Sequence, residues 1–248
     1  MPIIDLSVLL SRDMPCTWPG HVPFAHQNWN WYTGARGPYS THFIMIDEHC
    51  GTHMDAATHF IPPPDSGLPW AGPLGAESTE HVDLNRLTGP AVVVDVRHLS
   101  GTGTPGCSPP IEPDHLLAHE ADRGRFRPGD AVLLRTGWDR YYTSGPEAAR
   151  FAHEPLVTRA APAWPAPSTE AMLLLHERGV RLVGIDSPSM GAAHDGVPVH
   201  VEGLSRGMLY VEMLTNLGGV PASGATFLFL PLRLAGGTGG PGRAIALR

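Results

Sequence analysis

The chain has 248 residues, 42% of them hydrophobic, and a formal net charge of −7. All 17 basic residues are arginine, which excludes a Schiff-base lysine, a phosphate-loop lysine and a lysine nucleophile or base. With no basic run, neither nucleic acid nor a membrane surface is expected as a partner, and no segment reaches the ~18 apolar residues that a membrane span needs.

The opening, MPIIDLSVLLSRDMP, lacks a basic stretch ahead of an apolar one, so a signal peptide is not expected; a strand is expected within residues 3–10. Cys16, Cys50 and Cys107 are too few and too scattered for a disulfide framework, and the expected location is cytoplasmic. Residues 60–77, FIPPPDSGLPWAGPLGAE, are too rich in proline for regular structure, and a loop of that length is expected to cover a site. AVVVDV (91–96) reads as a strand. After it, GTGTPG (101–106) spells a dinucleotide-binding pattern, but Pro105 and the following Ser-Pro-Pro block the helix that pattern requires. A helix is predicted from Pro113 to Gly124, with His115 and His119 on a solvated face.

DAVLLRT (130–136) is a strand, and Ser168 caps a helix that runs to about Arg178, with Gly179 as its stop. VRLVGID (180–186), GMLYVEML (207–214) and TFLFLPL (226–232) are further strands. Asp186, at the end of its strand, is placed either for function or for capping the Asp-Ser-Pro-Ser turn. The pattern predicts an α/β protein with a mixed sheet, few helices and long loops, as a single domain over 1–248. No Gly-x-Ser-x-Gly elbow offers a serine nucleophile, and Cys50 reads as a small buried residue.

The chemistry concentrates in DEHCGTHMDAATHF (47–60), which places His49, His53, Asp55 and His59 within eleven positions. A straight strand would separate His49 from Asp55 by about 20 Å, whereas the ligands of one ion lie about 2 Å from it. A straight helix points Asp55 away from the 49/53 face. The segment must therefore bend if it is a site, and Gly51-Thr52 is where it can, with a strand ending near His49 and His53 and Asp55 pointing back beside it. Glu212 is a second anomaly, a carboxylate inside an apolar strand. Either it lies on an edge in water, or the fold brings it, with His194 or His200 from the preceding segment, to the first cluster. Such a nitrogen/oxygen donor set suits zinc, manganese or iron.

These residues resemble the putative-cyclase family of metal-dependent hydrolases, which includes bacterial kynurenine formamidase, isatin hydrolase and trans-dienelactone hydrolase. The family's His-x-Gly-Thr-His-x-Asp-x-x-x-His motif stands here as His49, Gly51, Thr52, His53, Asp55 and His59. The likeness continues through Trp-Pro-Gly at 18–20, GVRLVGIDSPS, the His200…Glu212 pair and PLRLAGG…PGRA. It implies a swivelling β/β/α fold, a homodimer or homotetramer, and one or two divalent ions, zinc or manganese. By the same resemblance His49, His53 and Asp55 hold the first metal, and Asp55 bridges to a second held by His200 and Glu212. His59 is then the acid/base and Trp18 a wall of the substrate pocket.

Ala57 stands where the family's small formamidases have proline, and residues 24–42 and 61–80 carry extra material. Trp29 and Trp31 are among these additions, which imply a larger pocket and a substrate other than kynurenine formamide. The implied reaction is hydrolysis of an amide, lactone or similar activated carbonyl in a small cyclic or aromatic substrate, by metal-bound hydroxide with His59 moving the proton. Metal-assisted ring closure of a polyketide-type chain needs the same polarised carbonyl and base and stays open. A non-catalytic metal-binding protein is the third reading, and it requires a closed coordination sphere.

Overall fold

The computed structural model describes residues 2–32, 34 and 36–248. In chain order its strands begin with β1 (Ile3–Asp5), β2 (Ala25–Asn30), β3 (Thr41–Met45), β4 (His53–Asp55) and β5 (Thr88–Asp95). A two-residue β6 (Pro110–Ile111) leads into α1 (Pro113–Arg123), followed by β7 (Ala131–Arg135), β8 (Ala166–Pro167) and α2 (Thr169–Glu177). The remainder is β9 (Leu182–Ile185), α3 (Val197–Leu204), β10 (Leu209–Glu212), β11 (Thr226–Pro231) and β12 (Gly239–Leu247).

Every strand expected from the apolar runs forms, and so do both expected helices. Ser168 Oγ accepts the Ala171 N–H at 3.2 Å, as its capping position requires. His115 does not stand free on a solvated face, because its Nδ1 accepts the Glu112 N–H at 2.9 Å and completes a capping box. The short β4, the glycine-rich β12 and α3 were not foreseen, and neither was the β2–β3 hairpin. In each, local composition is a poor guide. β12 begins Gly-Gly-Pro-Gly, and α3 is rich in β-branched valine with Pro198 in its first turn.

The strands β12, β11, β5, β7, β9, β10 and β4 are neighbours in that order, and β4 pairs back onto β12, so the sheet closes into a barrel. From β5 to β10 the strands run parallel, and α1, α2 and α3 supply the crossovers between them. Such strands are covered on both faces, which is why β7 and β9 are almost wholly apolar and buried. Alternation assigns the faces. Leu133, Val211 and Met54 point into the barrel with Phe227 and Phe229, while Val132, Val183 and Tyr210 point outward against Leu116, Leu175, Val199 and Leu204 of the helices. Among the described residues no helix is long and apolar enough to cross a membrane.

Tyr210 fixes α3 to the barrel wall. Its ring is buried, its hydroxyl donates to the Val199 carbonyl at 2.7 Å, and Gly203 has no side chain where that hydroxyl passes. Tyr210→Phe, which removes this buried hydrogen bond, is expected to cost about 1 kcal/mol. Gly203→Ala, which drives a methyl into the phenol, is expected to cost about 1–3 kcal/mol. Urea denaturation of each variant measures both, and a Gly203→Ala protein as stable as the parent would contradict this packing.

Candidate metal-dependent active site

The motif bends where the sequence requires. Gly51 has φ +63°, and its N–H donates to the Cys16 carbonyl at 2.7 Å. His49 lies in the turn before β4 instead of at a strand end, and the chain then straightens so that His53 and Asp55 share one face. Thr52 ties the turn down. Its Oγ1 donates to the Met213 carbonyl at 2.6 Å and accepts the Val8 N–H at 2.9 Å.

Register delivers the rest. In the antiparallel β4–β10 pair, His53 lies opposite Glu212 and Asp55 opposite Tyr210, so both acids face outward beneath α3. Glu212 is 4% exposed on a strand flanked on both sides, which disposes of the solvated-edge alternative. Helix α3 presents His200 from above, whereas His194 is turned away, its Nδ1 accepting the Ser108 N–H at 3.2 Å.

Three imidazoles converge on Asp55. Its Oδ1 is 2.9 Å from His49 Nδ1 and 3.5 Å from His53 Nε2, and its Oδ2 is 3.6 Å from His200 Nε2. Glu212 spans His53 (Oε2 to Nε2, 3.5 Å) and His200 (Oε1 to Nε2, 3.3 Å). Two foci emerge, His49–Asp55–His59 and His53–Asp55–Glu212, each with ligand atoms within 4.8 Å of one another. The resemblance groups His53 with His49 and Asp55, and Glu212 with His200; here His53 Nε2 lies 3.5 Å from Asp55 Oδ1 and from Glu212 Oε2 alike.

Outer contacts aim the imidazoles. His53 Nδ1–H donates to the Gly51 carbonyl at 2.8 Å and His200 Nδ1–H to the Gly196 carbonyl at 2.6 Å, which turns both Nε2 atoms toward the carboxylates. Glu212 Oε1 accepts the Met190 N–H at 2.5 Å. A side chain at Gly239 would collide with the His49 ring, and one at Gly191 with the His200 ring.

Asp55 Oδ2 is a buried oxygen that no hydrogen bond reaches among the described residues. A buried carboxylate oxygen without a hydrogen bond, ringed by imidazole nitrogens and close to a second carboxylate, is costly unless a cation completes it, so this donor set fits a divalent metal. Burial would raise the Asp55 carboxyl, but the surrounding imidazoles of His59, His200 and His49 hold it well below the usual carboxylate range. Burial would likewise depress His200, but Asp55 and Glu212 outweigh it and raise it to about 10. Burial lowers His59 to about 3, Asp55 opposing and the neighbouring imidazoles adding to the effect. The His59 ring stacks on His49 at 3.9 Å and makes no hydrogen bond among the described residues.

The cluster opens onto a cavity of about 260 Å³. Trp18 lines it, braced edge-on by Trp164 at 6.0 Å, whose indole N–H donates to the Gly191 carbonyl at 2.9 Å. Three further wall residues, His21, Phe60 and Met213, were not singled out in the sequence. Phe60 follows His59 directly and stacks on His200 at 4.3 Å, so the motif's last position was a usable signal.

Trp29 and Trp31 do not reach this cavity; they stand 54% and 60% exposed on and beside the β2–β3 hairpin. Nor does the proline-rich loop cover it beyond Phe60. From Ile61 to Glu77 the chain folds on itself, with the Gly72 N–H donating to the Pro62 carbonyl at 3.1 Å. Asp186 is spent on structure, accepting the Thr136 and Gly137 N–H groups at 2.8 Å each. Cys50 is buried as expected, against the thiol of Cys16.

A barrel of this topology with a buried histidine–carboxylate cluster at the floor of an aromatic cavity defines a class, the metal-dependent hydrolases. Residues 4–192 match the putative cyclase family, and the chain belongs to it. It is 30% identical over 223 residues to isatin hydrolase of Roseibium aggregatum, covering 85% of this chain and 76% of that one. It is 26% identical over 243 residues to kynurenine formamidase of Bacillus mycoides, covering 98% and 95%. A solved isatin hydrolase bound to the product analogue thioisatinate superposes with a TM-score of 0.83 at 25% identity, over 99% of this chain and 92% of that one.

A metal takes neutral imidazole, so below pH 10 the proton on metal-free His200 must leave when an ion binds. Affinity is therefore expected to rise with pH, by about tenfold per unit for one proton. Zinc titration calorimetry in buffers of different ionisation enthalpy checks this, and affinity independent of pH between 6 and 8 would contradict it.

Proposed function

We propose that this enzyme hydrolyses an amide, lactone or similarly activated carbonyl in a small cyclic or aromatic substrate. The observation that carries the reading is Asp55 Oδ2, buried among imidazole nitrogens at the cavity floor with no hydrogen bond among the described residues. His49, His53, Asp55, His200 and Glu212 would hold one or two ions, zinc or manganese by donor type. When bound, such an ion polarises a carbonyl and acidifies water.

The remaining work falls to the chain. Trp18 and Phe60 present aromatic surface to a flat substrate, and Met213 and Val197 add apolar lining. His59 is neutral at working pH and makes no ring hydrogen bond among the described residues, so it is placed to accept a proton from the attacking water. Its imidazolium is poorly stabilised so deep among other histidines, so the proton passes readily to the leaving group. A purely structural metal site has no use for an adjoining cavity of this size. The names of the relatives, isatin hydrolase and kynurenine formamidase, support hydrolysis over ring closure.

Chelation is expected to abolish turnover of formamides, lactones or isatin, and His53→Ala to do the same; activity surviving both would end this reading. Product mass decides the chemistry, since hydrolysis adds one water and ring closure does not. His59→Asn is expected to lower kcat by about 10²–10⁴-fold with metal content unchanged. Loss of metal in that variant would instead make His59 a ligand.

The same reading includes self-association. The β2–β3 hairpin exposes Trp29, Phe43 and Ile44, and surface of that kind on an arm favours burial against a second copy. Sedimentation equilibrium is expected to show a dimer or tetramer at micromolar concentration, and a monomer there would refute it.

A further inference from the structure

Glu48 and Thr238 are neither among the five donors nor in the cavity wall. They nevertheless form a chain that ends on the metal-facing imidazole of His49. Thr238 Oγ1 lies 3.1 Å from His49 Nε2 and donates to Glu48 Oε2 at 2.8 Å. The same carboxylate oxygen accepts the Thr238 N–H at 2.8 Å, which fixes the threonine backbone as well.

Proton inventory decides the direction of the chain. A carboxylate only accepts, so the single hydroxyl proton of Thr238 is committed to Glu48. Toward His49 the hydroxyl oxygen can then only accept, and Nε2 must carry the imidazole proton. The other nitrogen, Nδ1, lies 2.9 Å from Asp55 Oδ1, a carboxylate that can only accept, so Nδ1 is the atom whose proton a cation at that carboxylate would displace. His53 and His200 are set the opposite way, with Nδ1–H on a backbone carbonyl and Nε2 facing inward. A carbonyl can only accept, so those two tautomers need no further support. A hydroxyl can donate or accept, so His49 depends on Glu48 to hold Thr238 in the accepting role.

We propose that Glu48 and Thr238 are a positioning pair that fixes the Nε2–H tautomer of His49 and so presents Nδ1 to the metal. This rests on the metal reading given above. Partners behind a ligating histidine change metal affinity by about 10–100-fold when removed.

Zinc affinity is measured by competition with a chromogenic chelator, beside thermal unfolding of each metal-free protein. Thr238→Val keeps the shape and removes the acceptor, and is expected to weaken zinc binding by about 10–100-fold at unchanged Tm. Thr238→Ser is expected to restore it, and Glu48→Gln, which lets the hydroxyl turn, to weaken it by a smaller factor. Histidine ring nitrogen correlations on zinc-loaded wild type are expected to show His49 protonated at Nε2 and His53 and His200 at Nδ1. A folded Thr238→Val protein with wild-type affinity overturns the proposal, and so does a zinc-loaded wild type with His49 protonated at Nδ1. Failure of wild type to bind zinc or manganese overturns the metal reading itself, and this proposal with it.

Discussion

A carboxylate with no solvent exposure, met by three imidazoles, is the constraint to which the rest of this structure answers. Asp55 sits on a three-residue strand at the seam where the barrel closes. An ionised group in that position is costly unless opposite charge or a cation surrounds it. The neighbourhood is shaped accordingly. Gly51 bends the chain so that His49 can return to Asp55, Gly239 leaves room for the His49 ring, and Gly191 does the same for His200. Helix α3 is pinned through Tyr210 so that His200 meets the acids from the side opposite the barrel.

The placement of the site on the outer barrel wall follows from strand parity. Met54 points inward with the apolar barrel interior, so its neighbours His53 and Asp55 point outward. There they meet Glu212 across an antiparallel pair instead of across a loop, which gives rigid spacing between donors. Loops supply what can vary. Trp18, Phe60 and the segment around Ala192 and Ala193 form the cavity wall, and Trp164 and Trp138 back Trp18 in a row of edge-on indoles. A rigid floor with an adaptable aromatic wall suits a family whose members act on different substrates.

Two of the departures from expectation share one cause. Trp29 and Trp31 are aromatic residues near the motif in sequence, and the proline-rich loop follows it directly, yet the tryptophans do not reach the cavity within the chain and the loop does so only through Phe60. The hairpin carrying the tryptophans pairs chiefly with itself, and the loop closes on its own carbonyls before it can cross the site. Nearness in sequence to a metal motif says little about nearness in space once a turn intervenes.

The sequence by itself determined the parts that depend on local chemistry: the apolar runs that became β5, β7, β9, β10 and β11, the capped helices, the need for a bend at Gly51, and the anomaly of Glu212. It also determined the family, because donors separated by fixed short spacings form a signature that survives divergence elsewhere. Tertiary structure alone decided which donors stand together, since that depends on strand register and on barrel closure, both set by pairings more than 150 residues apart such as His53 with Glu212 and with Pro241. It also decided that Glu48 and Thr238 meet behind His49. A threonine in a glycine-rich tail carries no local mark of such a role, and only the fold brings its hydroxyl to an imidazole 189 residues away in the chain.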